Sequence, residues 1–201
     1  MIRLLAITEA SVADVPTTLR RAEALLHLVD PRSVAFGVRD HALPARQRVS
    51  LTRALVALAR PHGAKVVVHD RVDVALAAQA DGVQLGERSV SVREARSLLG
   101  ATAWIGRSCH DAEGMRAAAS KGVDAVTLSP VFASPGKGEP LGLARFAALR
   151  ATVPSLPVLA LGGIDAARAA EVLDAGASGV AMIRAWLEGE PSGWAPVLAR
   201  L

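Results

Sequence analysis

Eight short apolar runs, separated by amphipathic stretches, limit the folds open to this chain more than any other feature. They read "RLLAIT" (3–8), "VAFGV" (34–38), "KVVVH" (65–69), "GVQLG" (82–86), "AWIGRS" (103–108), "AVTLSP" (125–130), "PVLALGG" (157–163) and "GVAMI" (179–183). Runs this short and this rich in aliphatic and β-branched residues fit strands buried on both faces. The intervening stretches, such as 44–60 and 165–174, carry apolar residues three and four apart. Pro44 sits near one helix start and Asp165 stands where an N-cap belongs. Strand and helix alternate throughout, which predicts an α/β fold with a parallel sheet.

At 201 residues the chain fits one domain over 1–201, and eight βα units in that length predict a (β/α)8 TIM barrel of near-minimal size. A doubly wound open sheet is the rival, but its glycine fingerprint belongs after the first strand, and "AITEASVADV" has none. An internal echo supports the repeat: "AAQADGVQLG", "AASKGVDAVTLS" and "LDAGASGVAMI" share a helix end, a turn, a small residue and a buried strand. The one irregular stretch, "ASPGKGEPLG" at 133–142, reads as a mobile loop over a site.

Composition narrows the partners. Aromatic residues make up 3% of the chain and tyrosine is absent, which argues against a nucleic-acid reader built on stacking platforms. The net charge of +4 comes from scattered arginines without a basic run, so an anionic small molecule fits better than nucleic acid. No apolar run reaches the roughly 18 residues of a membrane span, and "MIRLLAIT" reads as the first strand and not as a leader. The lone Cys109 permits no internal disulfide and fits a reducing cytoplasm.

In a barrel of this kind the chemistry gathers at the C-terminal ends of the strands. Those ends supply Arg39, His69, Asp70, Glu87 to Ser89, Ser108, His110, the segment Ser129 to Lys137, Gly162-Gly163 and "AMIR". Gly162 and Gly163 can bring bare backbone N–H groups to an anion, with the helix begun by Asp165 pointing its positive end the same way. A phosphate is therefore expected after strands seven and eight. His110 can exchange a proton near neutrality, and Ser108 lies beside it. Cys109 should point the opposite way by strand alternation and act only in packing. Lys137 and Ser134 can close over an anion from the loop, and Arg39 at a buried strand end calls for an anionic partner. Asp70 faces either a ligand or its neighbour Arg71. His41, His69 and Cys109 make no zinc spacing.

In order, "VRD" (38–40), "HDR" (69–71), "ADGVQLG" (80–86), "GRSCH" (106–110), "LSPVFASPGK" (128–137), "LALGGI" (159–164) and "GASGVAMI" (176–183) resemble the thiamine phosphate synthase and thiazole tautomerase (TenI-like) superfamily over nearly the whole chain. The resemblance implies a phosphate site at strands seven and eight and one of two activities. The synthase pattern carries Gln-x-Arg-x-Lys after strand two, Asn-Asp after strand three and an acid after strand four. Here those places read Gly37-Val38-Arg39-Asp40-His41, His69-Asp70 and Ser89.

With one carboxylate left for Mg²⁺, the tautomerase is the expected activity. His110 would move the proton, Arg39 would bind the substrate carboxylate, and Lys137 would close the loop. The backbone amides of Gly162, Gly163, Ala181 and Met182 would hold the phosphate of a thiazole, with Asp70, Ser108 and Ser134 as further contacts and no cofactor. Two alternatives stand beside it. One is a thiamine phosphate synthase that joins a pyrimidine pyrophosphate to the thiazole phosphate, using Mg²⁺ at Asp70. The other is a non-catalytic phosphometabolite-binding or regulatory barrel. A homodimer is left open.

Overall fold

Each of the eight apolar runs is a strand. The computed structural model describes residues 1–189 and 199–200. The strands are β1 (Leu4–Ile7), β2 (Val34–Val38), β3 (Lys65–His69), β4 (Gly82–Leu85), β5 (Trp104–Cys109), β6 (Ala125–Leu128), β7 (Val158–Leu161) and β8 (Gly179–Met182). All neighbours pair in parallel and β8 returns to β1, so the sheet is a closed barrel in sequence order. Among the described residues eight α-helices follow the strands in turn: α1 (Val15–Leu26), α2 (Ala45–Ala59), α3 (Val72–Ala78), α4 (Val92–Leu99), α5 (Ala112–Ser120), α6 (Gly142–Ala151), α7 (Ala166–Asp174) and α8 (Arg184–Leu187). The open-sheet rival is excluded by the β8–β1 ladder.

Helix starts obey local chemistry. Asp111 accepts from Gly114 N–H at 2.7 Å and Asp165 accepts from Arg168 N–H at 2.9 Å, each satisfying a donor that the first turn leaves unpaired. Pro44 stands at the N-cap of α2 without a side-chain cap bond. The echoed segments share a further device. Asp81 and Asp124 accept from the backbone N–H groups of Val66 and Ile105 at 2.8 and 2.7 Å, and the Ser178 hydroxyl accepts from Val158 N–H at 3.1 Å. In return their own N–H groups donate to the carbonyls of Val66, Ile105 and Val158. Each repeat therefore clasps the start of the preceding strand.

Two apolar clusters lie on either side of the sheet. Val34, Phe36, Val38, Val66, Val68, Val83 and Leu85 face the helices, whereas Leu5, Ile7, Ala35, Val67, Trp104, Leu159 and Ala181 fill the barrel interior. Trp104 is the one large ring inside among the described residues, and its neighbours yield to it. A Cβ added to Gly106 would lie 2.1 Å from Gln84 Oε1 and 2.3 Å from the Trp104 ring. Above this floor the interior turns polar: the Gln84 side-chain amide donates to the hydroxyls of Ser108 and Thr127, both at 3.2 Å. Trp186 of α8 closes the seam, its indole N–H donating to the Ile7 carbonyl at 2.8 Å.

Because the space at Gly106 is already filled, Gly106→Ala should destabilise the barrel by about 1–3 kcal/mol, the range for overpacking a dense core. Gly138→Ala, with nothing within 4 Å, should stay within about 0.5 kcal/mol of the parent. Urea midpoints followed by tryptophan fluorescence would compare them.

Candidate active site

The tightest turn at the barrel mouth follows β7. Gly162 and Gly163 adopt φ of 105° and 63°, a region that side chains rarely enter. Their neighbours also exclude a side chain, since a Cβ would fall 2.8 Å from Pro130 Cα at Gly162 and 2.7 Å from the Ala133 carbonyl oxygen at Gly163. The β6–α6 loop, residues 129–141, thus lies directly on this turn.

Beside the turn opens a cavity of about 360 Å³. It gathers Arg39, Ser134, Lys137, Gly162, Gly163, Ala181 and Met182, all expected from the sequence as anion contacts. Ala181 and Met182 belong to the paired part of β8, and the wall continues past the strand through Ile183, Arg184 and Ala185. Ser129, at the head of the expected 129–137 segment, completes the polar lining together with Glu9 and Ser11, which were not expected. Glu9 follows β1, and the rule that selected the other strand ends applies to it equally.

Glu9 changes what Arg39 is doing. Its carboxylate is ion-paired with the Arg39 guanidinium, both side chains being mostly buried. Burial alone would raise the Glu9 carboxyl, but the hydrogen bond and charge of Arg39 outweigh it and hold the group below its ordinary value. The Arg39 backbone N–H donates to the Thr8 hydroxyl at 3.2 Å, and Thr8 donates to the buried Asp40 carboxylate. Arg39 Nε is sealed from solvent with no hydrogen-bond partner among the described residues.

The remaining expected residues lie elsewhere. Ser108 belongs to the polar network inside the barrel with Gln84 and Thr127. Asp70, at φ 62°, accepts from Gly86 N–H at 3.0 Å and from the Ser89 hydroxyl, at the ends of β3 and β4. His110 is exposed in an adjoining hollow of about 420 Å³ with Glu139 and Arg145, which meets the first cavity at Ser129, Pro130 and Lys137. Its Nδ1 donates to the Ser129 carbonyl at 2.6 Å. Cys109 is buried against the helical layer, and burial pushes its thiol up to about 11, so it packs as an inert group. Among the described residues no group of three His, Cys, Asp or Glu side chains is placed to hold a metal, and no helix is long and apolar enough to cross a membrane.

A family model described as thiamine monophosphate synthase matches residues 4–186. The chain belongs to the thiamine monophosphate synthase family. It is 44% identical over 151 residues to the thiamine-phosphate synthase of Methanoculleus marisnigri, covering 74% of this chain and 71% of that one. It is 39% identical over 156 residues to the thiamine-phosphate synthase of Moorella thermoacetica, covering 76% and 74%. A solved thiamine phosphate pyrophosphorylase from Pyrococcus furiosus superposes with a TM-score of 0.84 at 30% identity, covering 99% of this chain and 96% of that one.

These likenesses overturn the expected tautomerase activity: the family and these relatives carry the synthase name, despite the substitutions at Gly37, His41, His69 and Ser89. The expectation rested on the number of carboxylates left for Mg²⁺, whereas Mg²⁺ takes only one or two carboxylates beside substrate phosphate oxygens. Positions 37 and 69 also share one space. A Cβ at Gly37 would stand 2.9 Å from His69 Nε2, so the imidazole occupies the space that a longer side chain at position 37 would need.

His69 is therefore packed into the space beside Gly37. Burial, reinforced by the positive charge of Arg39, drives its pKa from 6.5 down to about 3, and the nearby Asp70 only partly opposes this. The folded protein keeps the ring neutral down to about pH 3, while the unfolded chain takes up a proton near pH 6.5. Stability therefore falls as pH drops between those values, by about 1.4 kcal/mol per unit. Between pH 7 and 4.5 the parent should lose about 2–3 kcal/mol that His69→Asn does not lose, measured as the difference in urea-unfolding free energy at the two pH values.

Proposed function

We propose that this chain is a thiamine-phosphate synthase, joining a pyrimidine methyl diphosphate to a thiazole phosphate. The observation that carries the proposal is one cavity that holds a glycine turn suited to a phosphate together with the cations Arg39 and Lys137, on a chain of this family. In this reaction the C–O bond of the diphosphate ester breaks, the diphosphate leaves with the electron pair, and the thiazole nitrogen forms the new C–N bond. The barrier lies in charge growing on the departing oxygen, which fixed cations stabilise without reorganisation.

The chain's residues divide that work. The turn at Gly162 and Gly163 and the strand-eight exit at Ile183 and Arg184 anchor the thiazole phosphate. Arg39, aimed by Glu9, and Lys137, carried by the β6–α6 loop, face the leaving diphosphate. Ser134 closes the loop side, its hydroxyl donating to the Phe132 carbonyl at 3.1 Å.

Mg²⁺ fits at Asp70 in a reduced form. Gly86 N–H and the Ser89 hydroxyl both address Asp70 Oδ1, and Oδ2 has no hydrogen-bond partner among the described residues. Mg²⁺ takes one or two carboxylates together with substrate phosphate oxygens, so one fixed carboxylate suffices once a diphosphate is present. When bound there, the ion supplies positive charge to the leaving group. Ser89 and Gly86 would keep the carboxylate facing it.

Incubating the purified chain with both substrates and Mg²⁺ should yield thiamine phosphate, detected after oxidation to the fluorescent thiochrome. Absence of product from both substrates would overturn the proposal. Lys137→Ala should lower kcat by about 10²-fold or more, as removal of a transition-state cation does. His110→Ala should lower it by less than about tenfold, well short of the 10²–10⁴-fold cost of deleting a general base.

A further inference from the structure

Three successive carbonyl oxygens around the β7 turn each have a donor. Leu161 O accepts from Val131 N–H at 2.9 Å, Gly162 O from Phe132 N–H at 3.0 Å, and Gly163 O from the Arg168 guanidinium at 3.0 Å. In a trans peptide the carbonyl and the following N–H point in opposite directions. The N–H groups of Gly162, Gly163 and Ile164 are consequently turned away from those three donors, and these same residues line the cavity. A run of neighbouring amides facing one concavity is an anion-binding arrangement.

Two of the three donors are main chain. The third, Arg168, is a side chain on the first turn of α7, and its own position is fixed from several directions. Its guanidinium carbon lies 5.1 Å over the Phe132 ring, Nη1 is 3.8 Å from Asp165 Oδ2, and its backbone N–H is capped by Asp165 at 2.9 Å. Phe132 belongs to the β6–α6 loop, the segment that also carries Ser134 and Lys137. Arg168 thus touches the glycine turn and the loop at once.

We propose that Arg168 is a positioning residue: it aims the turn's amides at the substrate phosphate and ties that turn to the loop bearing Lys137. The proposal rests on the phosphate reading of the cavity given above. Arg168 acts through Gly163 and Phe132 from the far side of the turn, without touching the anion. Its planar fork is required, because a lysine keeps the charge but loses both the stacking on Phe132 and the directed N–H.

The test compares the parent, Arg168→Ala and Arg168→Lys by three measurements: titration calorimetry with inorganic phosphate, amide hydrogen exchange of peptides covering 130–137, and urea midpoints. Arg168→Ala should bind phosphate about tenfold more weakly, the loss expected for one stacked, charged hydrogen bond. It should also exchange faster across 130–137 without ligand while keeping a near-parental urea midpoint, and Arg168→Lys should recover only part of the affinity. In turnover, KM for the thiazole phosphate should rise by more than kcat falls. Unchanged phosphate affinity in Arg168→Ala overturns the proposal, whether or not the loop exchanges faster. If the parent binds no phosphate while exchange across 130–137 still responds to the substitution, the phosphate reading fails and the proposal falls with it. If the parent binds and only the variants fail to differ, the phosphate reading stands and Arg168 alone is wrongly assigned.

Discussion

Closure of the sheet is the constraint on which everything else depends. Leu5 stands opposite Ala35 on one side and Ala181 on the other, so the first and last strands share one register and the barrel has no edge. A closed ring of eight strands leaves an interior just wide enough for side chains. One large residue there must be met by a small one, as the Trp104 ring is met by Gly106. Closure also brings the C-terminal ends of all eight strands to one rim, although β1 and β8 are far apart in sequence. That is how Glu9, from the first loop, comes to hold Arg39 beside a turn that begins at Gly162.

Main-chain hydrogen bonds tie the β6–α6 loop to the β7 turn and close that loop on itself. Val131 and Phe132 donate to the carbonyls of Leu161 and Gly162, and Leu141 and Gly142 return to the carbonyls of Pro130 and Val131. The β6–α6 loop therefore lies against the β7 turn as an extension of the sheet, although its sequence looks irregular. Glycine is required at 162 and 163 both for the positive φ and for this close approach, which ties the backbone geometry of the candidate phosphate site to the placement of Lys137.

Much of this was legible in the residues. Eight runs became eight strands, and Asp165 became an N-cap because a carboxylate ahead of a helix satisfies donors that the first turn leaves open. Alternation correctly placed Cys109 outward. The echo at Asp81, Asp124 and Ser178 was visible as a repeat, but its purpose was not, since the partner N–H groups sit about twenty residues away or less on a neighbouring strand. Ser108 and His110 were grouped by their adjacency, and the fold separates them: Ser108 belongs to the interior network and His110 to the hollow shared with Glu139 and Arg145. Positions 37 and 69 look independent along the chain, but the fold places the His69 ring in the space beside Gly37.

What the sequence determined by itself is the alternation of strand and helix, the closed parallel architecture it implies, and the family, because these follow from local periodicity and from motifs read in order. Tertiary structure alone decided which polar groups meet. It set Glu9 on Arg39, Ser89 on Asp70 and Arg168 on the Gly163 carbonyl. Two of these pairs lie on different strand loops, and the Arg168 contact is set by how α7 leaves the glycine turn. Hydrogen bonds and ion pairs act over a few ångströms of space, and the curvature of the barrel, not the spacing along the chain, brings those atoms within reach.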